Sequence, residues 1–243
     1  MAWVAYADDH DGKLVPGCPY GRTIAVSRRL EGWMGRAFMF PTSRAALLAD
    51  PDKGALWQYI EDVDMYRCAC GWAEHLATYI VVEAANGSLT AEGTYAFDTG
   101  GREYTPVGTR IGSTVLRLTR LTDIVSPGAG QRAVFIDEGH TPTQDYIVHY
   151  LYPKWAWYSP PPIQHAGGTT LSMADGHAEY WGWKGRETVT GLPRELMFIG
   201  GNRRFDELLV DHHEPQTEDG LYDLQRLQRA TWGRLGYPVA ETN

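Results

Sequence analysis

Hydrophobic and polar positions follow two different periods along the chain, and each period predicts its own kind of element. Leu56, Tyr59, Ile60 and Val63 fall three and four residues apart, the spacing of one apolar helical face, within a helical segment expected over 43–66. Thr42 or Ser43 caps its first part, which Pro51 stops after Asp50, and a second helix starts near Lys53. Ahead of these, the apolar residues 1–6 read as the last turn of a helix and 7–12 (ADDHDG) as the turn that closes it. That Asp-rich loop lacks the alternating acids and distal Glu of a calcium-binding EF-hand, so it is read as a plain turn. From 77 to 183 the pattern becomes short β-branched and aromatic runs (78–83, 94–97, 114–118, 133–136), cut by Asn86-Gly87, Gly100-Gly101 and Pro127-Gly128. This is a strand-and-turn region. Pro160, Pro161 and Pro162 make an extended connector. An extension over 184–243 carries one more helix, from near Asp219 through Leu221, Leu224 and Leu227 to Gly233.

The clearest local signal is Asp175-Gly176 between the strand-like runs 169–174 and 177–183, which predicts a hairpin with a two-residue turn, both central residues at positive φ. That turn would place Ala174 opposite His177, Met173 opposite Ala178 and Leu171 opposite Tyr180. Leu171, Met173, Ala178 and Tyr180 would then form the core face, and His177, Glu179, Trp181 and Trp183 the other, with Thr170 and Ser172.

Composition narrows the function. Of 243 residues, 22 are Lys or Arg against 30 Asp or Glu, giving a net charge of −8, and the basic residues come at most in pairs (Arg28-Arg29, Arg203-Arg204). No basic patch is available to neutralise phosphates, so nucleic acid is not expected as a partner. With 43% hydrophobic and 21% charged residues the chain can bury a core, and 9 Trp and 14 Tyr suit sheet faces. No apolar run is long enough to cross a bilayer, and no signal peptide opens the sequence. Cys18, Cys68 and Cys70 are odd in number, and no second ligand pair at zinc-finger spacing accompanies them. They read as structural or incidental thiols, with a disulfide from Cys18 to Cys68 or Cys70 as the lesser alternative.

His165, nine residues, then Asp175-Gly176 gives H-X9-DG inside QHAGGTTLSMADGHAEYWGW, and this resembles the C-terminal signature of prepilin-like proteins of the type II secretion pseudopilin class. YADDHDGKLVPG at 6–17 is similar to that family's turn after its long N-terminal helix, GALWQYIEDVDMYRC at 54–68 to its second helix, and LTRLTDIVSPGAGQRAVFIDEG at 118–139 to its strand pair. The resemblance implies an α+β, pilin-like antiparallel sheet with short helices in a single headgroup. The family's leader, cleavage Glu and apolar helix do not precede Ala2 to Tyr6, so the long helix is expected to be truncated to a stump at 1–12, with an additional C-terminal helix. A pilin sheet without that helix leaves one apolar face for the extension or a neighbouring chain to cover. The implied function is a non-catalytic subunit of a secretion pseudopilus or pilus-like filament, periplasmic or on a bacterial surface. Its partners would be other pilin or pseudopilin subunits, and it would meet a membrane only through the missing helix. Pseudopilins that fix a C-terminal loop with calcium suggest Ca2+ at Asp137, Glu138 and Asp175, or else a hydrogen bond from His165 or His177 to Asp137 or Glu138.

Two other classes stay open. Trp155, Trp157, Trp181 and Trp183 could stack on sugars in a carbohydrate-binding β protein. His165, Asp175 and His177 with Asp137, Glu138 and His140 have the chemistry of a metal-dependent hydrolase, although an extended 169–174 spans roughly 20 Å and separates His165 from Asp175 unless the chain reverses at Gly167-Gly168.

Overall fold

Helix α1 (Ala2–Asp9) opens the computed structural model, which describes residues 2–19, 32–39, 41, 43–87, 110–142, 144–156, 159–190 and 213–239. The 94–97 run, the Arg28-Arg29 and Arg203-Arg204 pairs, Gly100-Gly101 and Trp157 lie outside these residues. Asp11 at φ 56 and Gly12 at φ 75 turn the chain after α1, where ADDHDG predicted a turn. Helix α2 (Arg44–Ala49) has the expected cap: the Ser43 hydroxyl accepts from the Ala46 N–H at 3.1 Å.

The helix expected from Lys53 is much shorter. Helix α3 covers only Trp57–Ile60, ends on left-handed Glu61, and is followed by a separate 3-10 turn at Val63–Tyr66. The Asp62 carboxylate accepts from the Asp64 N–H at 2.9 Å, a local bond that competes with helix continuation. The apolar face persists across the break. Of the expected face Leu56 and Val63 are buried while Tyr59 and Ile60 are only partly buried against the core; Tyr66 is also buried, stacking with Trp33 and Trp57 and lying tilted against Phe38.

Among the described residues six short strands follow: β1 (Tyr79–Val81), β2 (Arg110–Ile111), β3 (Thr114–Val115), β4 (Ala133–Asp137), β5 (Gly168–Met173) and β6 (Ala178–Gly182). Four of them form an antiparallel sheet in the order β1-β4-β5-β6, while β2 and β3 pair separately. Helix α4 (Arg186–Thr190) leads into the extension, whose helix α5 (Glu218–Trp232) is capped by the Thr217 hydroxyl at Gly220 N–H and ended by Gly233 at φ 80. The molecule is α+β, as expected.

The hairpin register corrects the sequence expectation by one residue. Ser172 pairs with Ala178, Leu171 with Glu179, Thr170 with Tyr180 and Thr169 with Trp181. Gly176 N–H bonds Met173 O at 2.9 Å and Met173 N–H bonds His177 O at 2.8 Å, closing a three-residue loop in which Gly176 (φ 94), not Asp175, takes positive φ. One extra loop residue exchanges the faces of β6. Leu171 and Met173 therefore share the core with Trp181, whereas Ala178 and Tyr180, the latter 56% exposed, belong to the opposite face. Gly176→Val still forces a β-branched residue to positive φ and should lower the unfolding free energy by about 1–3 kcal/mol in urea titration; an unchanged midpoint would contradict this turn.

Helix α5 covers the Leu171 face. Leu224, Leu227 and Trp232 are fully buried, and the Arg226 guanidinium lies 3.7 Å from the Trp181 ring centroid. The opposite face and α1 together line a groove of about 560 Å³ that includes Trp3, Val4, Tyr79, Phe135, Thr170 and Ser172. None of the described helices is long and apolar enough to cross a membrane.

Candidate functional site

The H-X9-DG residues lie at opposite ends of β5. At the start of β5, Ala166 (φ 49) and Gly167 (φ 83) reverse the chain, and His165 and Gly168 exchange backbone bonds of 3.3 and 3.0 Å. This is the reversal that His165 needed, yet it carries the imidazole to Asp137 rather than to Asp175. His165 Nε2 lies 2.6 Å from Asp137 Oδ2, the hydrogen bond anticipated for this pair. The Asp137 carboxylate is fully buried, and its Oδ1 accepts from Gly139 N–H at 3.0 Å.

A third segment completes this cluster. Cys68 N–H donates to the Thr78 hydroxyl at 2.8 Å, Gly71 N–H to Cys68 O at 3.0 Å and Trp72 N–H to Gly139 O at 2.8 Å, so the Cys68-Ala69-Cys70-Gly71 loop is tied to the end of β4. Cys68 Sγ sits 3.5 Å from His165 Nε2 and also receives the Cys70 N–H at 3.4 Å. Cys70 Sγ, Cys68 Sγ and a ring nitrogen of His165 all lie within 4.8 Å of one another. All three cysteines carry free thiols, so neither Cys18 pairing forms. Burial, chiefly, holds the Cys68 thiol above its ordinary range, and burial with smaller contributions from Cys68 and Asp137 pushes Tyr79 up to about 12.

Sequence reasoning missed this association because its members are brought together by tertiary contacts between three loops. His165 lies 97 residues beyond Cys68, and no local spacing rule spans such a gap. The only sequence signal was a C-x-C placed just before a strand.

The three carboxylates of the calcium expectation do not meet in one site. Asp137 and Glu138 stand at one end of β4, while Asp175 lies beside Gly130 at the other, where Ala174 N–H bonds Arg132 O at 2.8 Å. Burial, then the nearby Asp137 charge, pushes Glu138 up to about 8. The hydrolase grouping divides in the same way. Glu138 and His140 belong with Asp137, the His140 Nε2 standing 3.6 Å from Glu138 Oε1, while Asp175 and His177 are at the hairpin tip. Next to His140, His75 Nδ1 accepts the Thr141 N–H at 2.9 Å, and burial lowers the pKa of both imidazoles.

The described members of the proposed sugar platform are covered, Trp157 lying outside the described residues. Trp155, Trp181 and Trp183 are buried: Trp155 packs edge-on to Trp183 at 5.9 Å, Trp183 Nε1 donates to Pro162 O, and Arg226 lies over Trp181. With their faces taken up by the protein, these indoles have none left for a sugar.

At the tip, His177 Nδ1 is 2.6 Å from Asp175 Oδ1 and its Nε2 is 2.9 Å from Glu179 Oε1; Glu179 also accepts from Trp181 Nε1 at 2.7 Å and faces Arg226 at 3.8 Å. Asp175 thus serves the turn: its carboxylate also accepts the His177 N–H at 3.1 Å. The Glu179 hydrogen bond, followed by that of Asp175, raises His177 above its ordinary 6.5. A proton held more tightly in the folded chain stabilises it fully below pH 6.5, and this contribution fades as pH rises through the folded pKa. An NMR titration should find His177 above 6.5, falling toward that value in Glu179→Gln; a midpoint at or below 6.5 in the parent protein would refute this network.

No protein-family model matches the chain, and neither a curated protein nor a solved structure matches it.

Proposed function

We propose that this chain is the headgroup of a pilin-like or pseudopilin-like filament subunit, working by assembly at a bacterial surface or in the periplasm rather than by catalysis. One observation carries this reading: the N-terminal helix α1 borders a groove whose other wall is one face of a four-stranded antiparallel sheet, the side on which a pilin's long helix would lie. Its signature residues support it in a structural sense. His165 joins loops through Asp137, and Asp175-Gly176 forms the hairpin tip. These are joints of a scaffold, and they are too far apart to act on one substrate. The C-terminal helix takes the second face of the sheet, which gives the headgroup a core of its own.

Antibody raised against the folded chain tests this on cells that make the protein from its own gene. Immunogold label along sheared surface or periplasmic filaments, with the protein sedimenting in high-mass assemblies, is the expected result. A chain found only as a monomer in the cytosolic fraction would overturn it.

A further inference from the structure

The thiol and imidazole cluster is more specific than a scaffold joint requires. We propose that Cys68, Cys70 and His165 bind a structural Zn2+ ion, three ligands whose donor atoms already lie within 4.8 Å of one another. Two soft thiolates with an imidazole form a donor set suited to zinc and poorly suited to calcium or magnesium. A tetrahedral zinc sets its ligand atoms about 3.3–3.8 Å apart. The 3.5 Å from Cys68 Sγ to His165 Nε2 already matches one edge of that tetrahedron, and Cys70 Sγ lies within 4.8 Å of Cys68 Sγ and of a ring nitrogen of His165. His165 Nε2 faces Cys68 and Asp137 together, so its hydrogen bond to Asp137 occupies the direction of a metal bond. Zinc would release the protons of both thiols to solvent and take the place of the Nε2 hydrogen bond to Asp137, with the imidazole proton carried on Nδ1.

The surroundings hold the ligands in place. Asp137 is oriented by Gly139 N–H, the His165 carbonyl accepts from the Tyr180 hydroxyl at 3.0 Å, and the Cys70 N–H points to Cys68 Sγ. Gly71 packs so closely on Thr78, and Gly139 on Gln164, that a Cβ at either position would collide with its neighbour. The three loops therefore converge in fixed positions, as a low-cost metal site needs. Cys70 is exposed and gives the ion a route of entry from solvent. Bound zinc would tie the Cys68 loop, the end of β4 and the start of β5 together.

The test uses the whole chain, reduced, stripped with a chelator and titrated first with Co2+ and then with Zn2+. One equivalent of Co2+ should give tetrahedral ligand-field bands and a thiolate charge-transfer band, both removed by Zn2+, and Zn2+ should raise the melting temperature. Cys70→Ser changes an exposed side chain and should fold, yet weaken Zn2+ binding by about 100-fold or more. Cys18→Ser should bind like the parent. Absence of a thiolate band while all three thiols still react with a thiol reagent would overturn the site, as would a band that survives in Cys68→Ser with Cys70→Ser or is lost in Cys18→Ser. These readouts come from isolated protein, so their failure would leave the filament reading standing, and the reverse holds as well.

Discussion

Trp232→Ala should lower the unfolding free energy by about 3–5 kcal/mol, the usual cost of truncating a fully buried large aromatic side chain. Trp232 is the last residue of α5 and has no exposed surface. Its Nε1 donates to Val148 O at 2.9 Å and its ring lies 5.7 Å from that of Tyr150, so truncation leaves a cavity and takes a donor from a buried carbonyl. Urea unfolding of the parent and variant would measure the difference. The size of the effect matters for the architecture: a C-terminal extension merely attached to a finished sheet domain would lose less than about 1 kcal/mol at such a site, and that outcome would show α5 to be dispensable.

Arg132→Met should cost about 2–4 kcal/mol, with Arg132→Lys recovering only part of the loss. Arg132 has no exposed surface, and burial pulls its pKa down to about 10, so it is charged at neutral pH. Its guanidinium donates to Val115 O at 2.8 Å, Leu116 O at 2.9 Å and Thr231 O at 3.0 Å. The last of these is one of the carbonyls that a helix C-terminus leaves without a partner, and a cation there also suits the helix dipole. Methionine removes the costly buried charge, which offsets part of the penalty, but leaves three carbonyls without this donor. A lysine cannot form the same planar fork. Equal stability of all three proteins in urea would refute this account of how β3, β4 and α5 are joined.

The elements read correctly from the sequence are those set by neighbours along the chain. Ser43 and Thr217 cap helices, Gly233 ends one, Asp11-Gly12 turns the chain, and the run that forms β4 was placed to within one residue. The helix over 53–66 failed because periodicity reports which residues face the core and not whether the backbone stays helical between them. Glu61 and Asp62 break it while Leu56, Val63 and Tyr66 remain inside. The hairpin was recognised but its faces were exchanged, because Asp-Gly suits two-residue and three-residue loops alike.

Sequence alone, then, determined the caps and turns, the overall acidity and the presence of a hairpin at Asp175-Gly176, since each depends on local backbone preference or on composition, while the α+β class was what the resemblance implied. Tertiary structure decided the rest. It selected the register that buries Trp181 in place of Tyr180, it separated His165 from Asp175, and it brought His165 instead to Asp137, Cys68 and Cys70. The physical reason is the same in each case: these contacts join residues far apart along the chain, and their energies depend on which side chains a packed core and three fixed loops bring within a few ångströms.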